Sequence, residues 1–314
     1  MSFNSRVCGL VTASIALILS LGFFAIAQQD NQKKATAMPP GTPALWREPS
    51  DIASRNLYLG PGGEAMKPTL SKVTFIEEKE SAGSAKFRVR DGAGREWLVK
   101  AGGEAQAEVA ASRILWAVGY YTDISYLEPG VEIEGKGAFQ NVRFEARPKG
   151  IKRLDEWLWD DNAFSGTREL QGLKVLLALL DNWNLKNENN KILFVRDDEA
   201  RSSELRYIVS DVDTKFDKSG VSPGLWHTTN RTPPKAKFID SVKNNVVDFA
   251  YSGKHKERLA GITADQAKWI GTWLARLSDQ QLRDALRAAN YSVDEAQYIA
   301  RILRARIDEL VSLR

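Results

Sequence analysis

The chain has 314 residues, 43% hydrophobic and 27% charged, an ordinary globular balance with room for one large or two small domains. A net charge of +4 is too mild to argue for nucleic acid. No long basic run, aromatic–basic interleaving or internal repeat adds to it, so no nucleic-acid role is expected. One cysteine and two histidines set aside a disulfide framework, a thiolate nucleophile, a multi-histidine zinc site and a Ser-His-Asp hydrolase. Chemistry, if present, falls to carboxylates, asparagine, lysine and arginine.

Residues 1–27 read as an export signal. Arg6 is the basic start, Val7 to Phe24 is apolar and small, and Ala25-Ile26-Ala27 is an A-x-A cleavage site. The expected address is the periplasm or the extracellular space. An uncleaved N-terminal membrane anchor is the alternative, because the apolar run is near the lower length of a span. Cys8 lies inside this segment. Residues 28–44, polar and carrying Pro39, Pro40 and Pro43, read as a flexible leader.

A small antiparallel sheet is expected within a first lobe at residues 45–130. Its strands are Val73–Ile76, the alternating Lys86–Arg90, and Arg95–Lys100, with Asp91-Gly92-Ala93-Gly94 as a turn. A small-residue loop containing Gly83 joins the first two strands. After Gly102-Gly103 a helix carries Glu108 and ends near Gly119. The link to a second lobe at residues 131–314 is expected near Glu128–Phe139. There, Leu170, Leu173, Leu176, Leu177 and Leu180 form the stripe of an amphipathic helix capped by Thr167. An amide-rich loop follows over Asp181–Asn190. Two strands, Ile192–Val195 and Tyr207–Val209, are split by a charged stretch with the look of a long hairpin loop, and the second delivers Asp211 and Asp213. Phe238–Phe249 reads as a short helix. Thr263, Ser278 and Ser292 each stand three residues before Gln266, Gln281 and Glu295, so three capped helices close the chain. Their apolar faces are packing, and Arg301, Arg304 and Arg306 read as a solvated face.

These residue types suit one chemistry. A small-residue loop lets backbone amides approach phosphate. A lysine at a strand tip gives phosphate a point charge, and a helix-borne glutamate holds that lysine extended. Amides and carboxylates on rigid elements hold a divalent metal. Leu98-Val99-Lys100, the Glu108 helix, Asn184-Leu185-Lys186-Asn187-Glu188-Asn189 and Val209-Ser210-Asp211 occur in an order that resembles the protein-kinase-like superfamily. The short path from Lys100 to the helix is more similar to its HipA and phosphatidylinositol-kinase-like branch. Gly60-Pro61-Gly62-Gly63 and Trp116-Ala117-Val118-Gly119-Tyr120 complete a pattern similar to a group of exported bacterial proteins of unassigned function.

The resemblance implies an α+β, two-lobed kinase-like fold, with a small sheet-plus-helix lobe and a mainly helical large lobe. It implies ATP and magnesium as ligands, with Gly83, Lys100 and Glu108 facing the nucleotide and Asn187, Asn189, Asp211 and Asp213 available to the metal. Lys186 would balance charge on the transferring group. Two departures matter: Asn184 stands where the family has its proton-accepting aspartate, and Asp213 stands where it usually has glycine. Asp181 is then the candidate base near the loop. The other expectation is a catalytically inactive kinase-like scaffold that binds a partner protein in the cell envelope.

Overall fold

The computed structural model describes residues 38–79, 86–182, 184–199, 201–212 and 237–314. The signal, Gly83 and Asp213 lie outside them. Pro40–Arg314 form one unit with two hydrophobic cores.

The first core belongs to a five-stranded antiparallel sheet. In chain order its strands are β2 (Thr74–Lys79), β3 (Lys86–Arg90), β4 (Glu96–Ala101), β5 (Ser125–Ile133) and β6 (Gly137–Ala146), laid out β2-β3-β4-β6-β5. Residues along a strand point alternately to the two faces. Phe87, Val89, Trp97, Val99, Val142 and Phe144 therefore share one face and form a buried cluster. The register Lys86↔Lys100↔Arg143 and Leu98↔Glu145 puts the charged residues on the other face. The sheet is thus apolar on one side and charged on the other, and the charged side carries the site.

Two sequence expectations change here. The lobe boundary near residue 130 falls inside the sheet, because Glu128–Phe139 belongs to the β5–β6 hairpin. That hairpin closes through a short turn in which Gly135 takes φ +87, a conformation glycine adopts without a Cβ clash. The leader is also not loose throughout. Thr42–Ala44 forms β1, paired parallel to β9 (Ser202–Val209). Pro43 is tolerated because β1 is an edge strand.

The second core gathers the helices. α1 (Gly103–Ala117) touches β5 and β6 and also α4 (Asp279–Arg287). Its Val109, Ile114 and Leu115 share a core with α2 (Arg168–Leu179), α3 (Ala264–Leu274) and α5 (Val293–Val311). The N-cap of α2 is Thr167, as expected, and α3, α4 and α5 each start with the expected capping box. This lobe also holds a four-stranded sheet, β1-β9-β8-β7, with β7 at Ile151–Arg153 and β8 at Asn190–Asp197. β8 and β9 stay paired to Asp197↔Ser202, so the charged stretch is exposed strand and not a long loop.

The helix expected over Phe238–Phe249 is instead a hairpin of β10 (Ile239–Lys243) and β11 (Val246–Phe249). Asn244 and Asn245 both take positive φ, the geometry of a two-residue hairpin turn that asparagine accepts. On α5, Arg301 is exposed and Arg304 pairs with Asp279, but Arg306 is buried. The solvated face expected for these arginines therefore does not extend to Arg306.

α2 and α3 approach closely at Gly172, where an added Cβ would sit 2.5 Å from the Trp269 ring and 2.9 Å from the Tyr120 hydroxyl. Gly172→Ala is expected to lower stability by about 1–2 kcal/mol in denaturant titration, overpacking outweighing the better helix propensity of alanine. A stabilised variant would show that the two helices can part.

Candidate functional site

The site begins with Lys100. It lies on the charged face of β4, and α1 starts two residues after β4 ends. Glu104 and Glu108 are one helical turn apart, so both face the lysine. The Lys100 ammonium hydrogen-bonds to Glu108 and lies 3.1 Å from Glu104. Asp211 follows the end of β9, and its carboxylate lies 3.5 Å from Lys100 and 4.0 Å from Lys86. The structure therefore brings together Lys100, Glu108 and Asp211 from distant parts of the chain.

Asn189 fixes the other side of Asp211. Its backbone carbonyl accepts from the amides of Ser210 (2.7 Å) and Asp211 (3.4 Å). Its side-chain amide donates to the Asn184 carbonyl at 3.4 Å, and its own amide oxygen has no hydrogen-bond partner among the described residues. Asn187 is placed differently, since its side-chain oxygen accepts from the Trp159 backbone amide at 3.1 Å. Lys186 is partly exposed, and its backbone amide donates to the Asn184 carbonyl at 2.8 Å. Asn184 has a buried side-chain oxygen with no hydrogen-bond partner among the described residues. Asp181, at φ +55, pairs with Arg306 of α5 at 3.0 Å. Its carboxylate is committed to the helical core.

Behind Glu108 lies a network that the sequence reading missed. Arg143 reaches Glu108 at 2.5 Å and Glu145 at 2.8 Å. Glu145 also receives Arg147 and, at 3.5 Å, Arg153. Arg153 pairs with Asp123 at 2.5 Å and donates to the Ser210 hydroxyl at 2.6 Å, and that hydroxyl donates to Asp123 at 2.5 Å. Ser210 precedes Asp211, so the chain of contacts closes into a ring. The one sequence signal was the alternation Val142-Arg143-Phe144-Glu145, which places both charges on one face of a strand.

The ring sets the ionisation of its members. Burial pushes the Glu108 carboxyl up to about 8, against the pull of Arg143, and Asp211 nearby adds to the rise. For Asp211, burial acts upward but is outweighed by the hydrogen bond from Glu108 and by Lys100 and Arg143, so its carboxylate stays well below the usual range. Lys100 is raised although burial opposes its charge, because Glu108 and Asp211 both favour the ammonium. The arrangement is an ammonium beside an ionised carboxylate, with the Glu108 carboxyl, raised by burial, held behind them between Lys100 and Arg143.

No protein-family model matches the chain, and no curated protein matches it. Among solved structures it is similar to the proinflammatory kinase CtkA of Helicobacter pylori, at 12% sequence identity and a TM-score of 0.45, covering 78% of this chain and 93% of that one. The α+β architecture expected from the sequence, a small sheet with one helix beside a helix-rich second lobe, is present.

Proposed function

We propose that the chain is an exported kinase-like protein that binds the phosphates of a nucleotide, with a divalent cation, at Lys100, Glu108 and Asp211, and that it transfers phosphate. The observation that carries this reading is the Lys100–Asp211 approach of 3.5 Å with Glu108 bracing the lysine. A braced lysine beside a partly exposed carboxylate gives polyphosphate a cation and gives a metal a ligand. Asp211 and the amide oxygen of Asn189 are hard oxygen donors, which fit magnesium. Such an ion, when bound, neutralises charge on phosphate oxygens. Lys100 holds phosphate, Glu108 keeps Lys100 extended, and Lys186 adds charge at the loop. The two-residue path from Lys100 to α1 favours the HipA and phosphatidylinositol-kinase-like branch, and the A-x-A segment favours export.

Melting of the full chain with millimolar ATP and magnesium tests this reading. Ligand at about 100 times its dissociation constant stabilises by roughly 2.7 kcal/mol, a rise of about 5–10 °C. The rise should require the metal and vanish in Asp211→Asn and Lys100→Ala, each compared with its own ligand-free baseline. A wild-type chain that does not respond would reject the reading.

A second reading has its own observation. Asn184 cannot take a proton, and Asp181 is engaged by Arg306, so neither is poised as a base. An inactive scaffold for an envelope protein partner fits that arrangement. Asn184→Asp should then raise radiolabelled phosphate transfer by about 10²-fold or more, the usual worth of a positioned base. A wild-type rate already comparable to that of the variant would eliminate the scaffold.

A further inference from the structure

A cavity of about 650 Å³ lies on the outer side of the Asp123–Arg153 pair, within the size range of small-molecule sites. Lys100, Glu108 and Asp211 do not line it. Its walls come from the segment before the first 3₁₀ turn, the C-terminal end of α1, the stretch after β6, and β7 to β9. Five arginines and three acids line it, and Glu204 and Glu145 behind the wall pair with four of the arginines, so the wall is rich in guanidinium donors without a large net charge.

The arginines are held but not exhausted. Glu204 lies between two of them, accepting Nη2 of Arg47 at 2.6 Å and Nε of Arg206 at 2.8 Å. One carboxylate thus serves two guanidiniums, and each guanidinium carries five N–H donors. Most donors of Arg47 and Arg206 have no protein acceptor among the described residues. Between them stands the Tyr121 ring, 5.8 Å from the Arg47 guanidinium and 4.8 Å from that of Arg206. Trp116, with Arg55 over it at 4.8 Å, lines another part of the cavity. Guanidinium forks suit phosphate or carboxylate oxygens, and guanidinium planes stacked with aromatic rings extend a flat wall that suits a planar ring.

We propose that this cavity is a second binding site, for a small molecule carrying a phosphate or carboxylate on a planar ring, separate from the Lys100–Asp211 centre. The assignment does not rest on the function proposed above. Arg153 joins the cavity wall to Ser210, so an occupant there would touch the ring that holds Asp211 in place.

Titration of the full chain with phenyl phosphate, benzoate and inorganic phosphate, followed by calorimetry or ligand-observed NMR, tests it. Phenyl phosphate or benzoate should bind in the roughly millimolar range expected for so few atoms, and whichever binds names the anionic group. Arg47 is two-thirds exposed, so Arg47→Ala is not expected to disturb folding. Combined with Arg206→Ala, it should weaken binding about tenfold or more. Tyr121→Leu should weaken the aromatic probes and not inorganic phosphate. Lys100→Met should leave the two aromatic titrations as they are, and any inorganic-phosphate binding it removes belongs to the Lys100–Asp211 centre. Absence of binding by both aromatic probes would overturn the proposal. So would affinity unchanged in both sets of cavity variants, loss of aromatic-probe binding in Lys100→Met, or, in that variant, inorganic phosphate binding as tightly as phenyl phosphate.

Discussion

Arg306→Met is expected to destabilise the protein by about 3 kcal/mol, a fall of roughly 6–12 °C in melting temperature. The arginine is 3% exposed and serves two groups at the end of α2. Its Nη1 donates to the Leu179 carbonyl at 2.6 Å and pairs with Asp181 at 3.0 Å. Helix C-termini leave carbonyls without intrahelical partners, and a cation there also meets the negative end of the helix dipole. Asp181 sits at φ +55, which costs a non-glycine residue roughly 1 kcal/mol and persists only where its surroundings hold it. The Arg306 contact does that. Methionine keeps the buried stem and removes the donors, so the loss measures the polar contacts. Arg306→Lys should fall between, keeping the charge without the planar fork. Because the amide-rich loop begins at Asp181, amide exchange over residues 184–190 should quicken in Arg306→Met more than in α3. A change within about 0.5 kcal/mol, the scatter of ordinary surface substitutions, would show that Arg306 is not the anchor of this loop.

What was legible in the sequence followed from local rules. The three capping boxes, the Asp91–Gly94 turn and the alternating β3 and β4 are local patterns, and each is found where expected. The Lys100–Glu108 pair was legible because the strand ends and the helix begins within a few residues. The missed features depend on partners distant in sequence. Arg143 and Glu145 carry no local sign of burial, and are buried because Glu108 arrives from α1 and Arg153 from β7. Arg306 follows the same logic, since its burial is dictated by the end of α2. The β10–β11 hairpin, where a short helix is expected, has its own local signal: Asn244-Asn245 stands between Val242-Lys243 and Val246-Val247, a two-residue turn flanked by β-branched residues. In the loop, residue type told that Asn187 and Asn189 could be ligands. Only the fold distinguishes Asn189, bonded through its backbone to Asp211, from Asn187, engaged by Trp159.

The ring also makes ionisation a property of the group as a whole, with Glu108 at its centre. In the folded chain its carboxyl rises from an ordinary 4.5 to about 8, so the folded state binds a proton that the unfolded state has lost over that interval. Stability from this source is fully present below pH 4.5 and is lost as pH rises through 8. Asp211 has the opposite sign. Its folded value is depressed, so its contribution is present above pH 3.8 and lost as pH falls below that. Their combined contribution is largest near pH 4–5 and falls toward pH 8 at no more than about 1.4 kcal/mol per pH unit. The ceiling over the whole interval is on the order of 5 kcal/mol, and coupling to Lys100 and Arg143 reduces it. Glu108→Gln isolates the effect, because glutamine keeps an acceptor for Lys100 and a donor toward Asp211 but does not titrate. Denaturant titrations should find the two proteins similar near pH 5 and the variant more stable above pH 8, where the wild-type carboxyl has lost its proton. Parallel pH profiles would mean that Glu108 stays ionised in the native state and that Lys100 and Arg143 outweigh its burial.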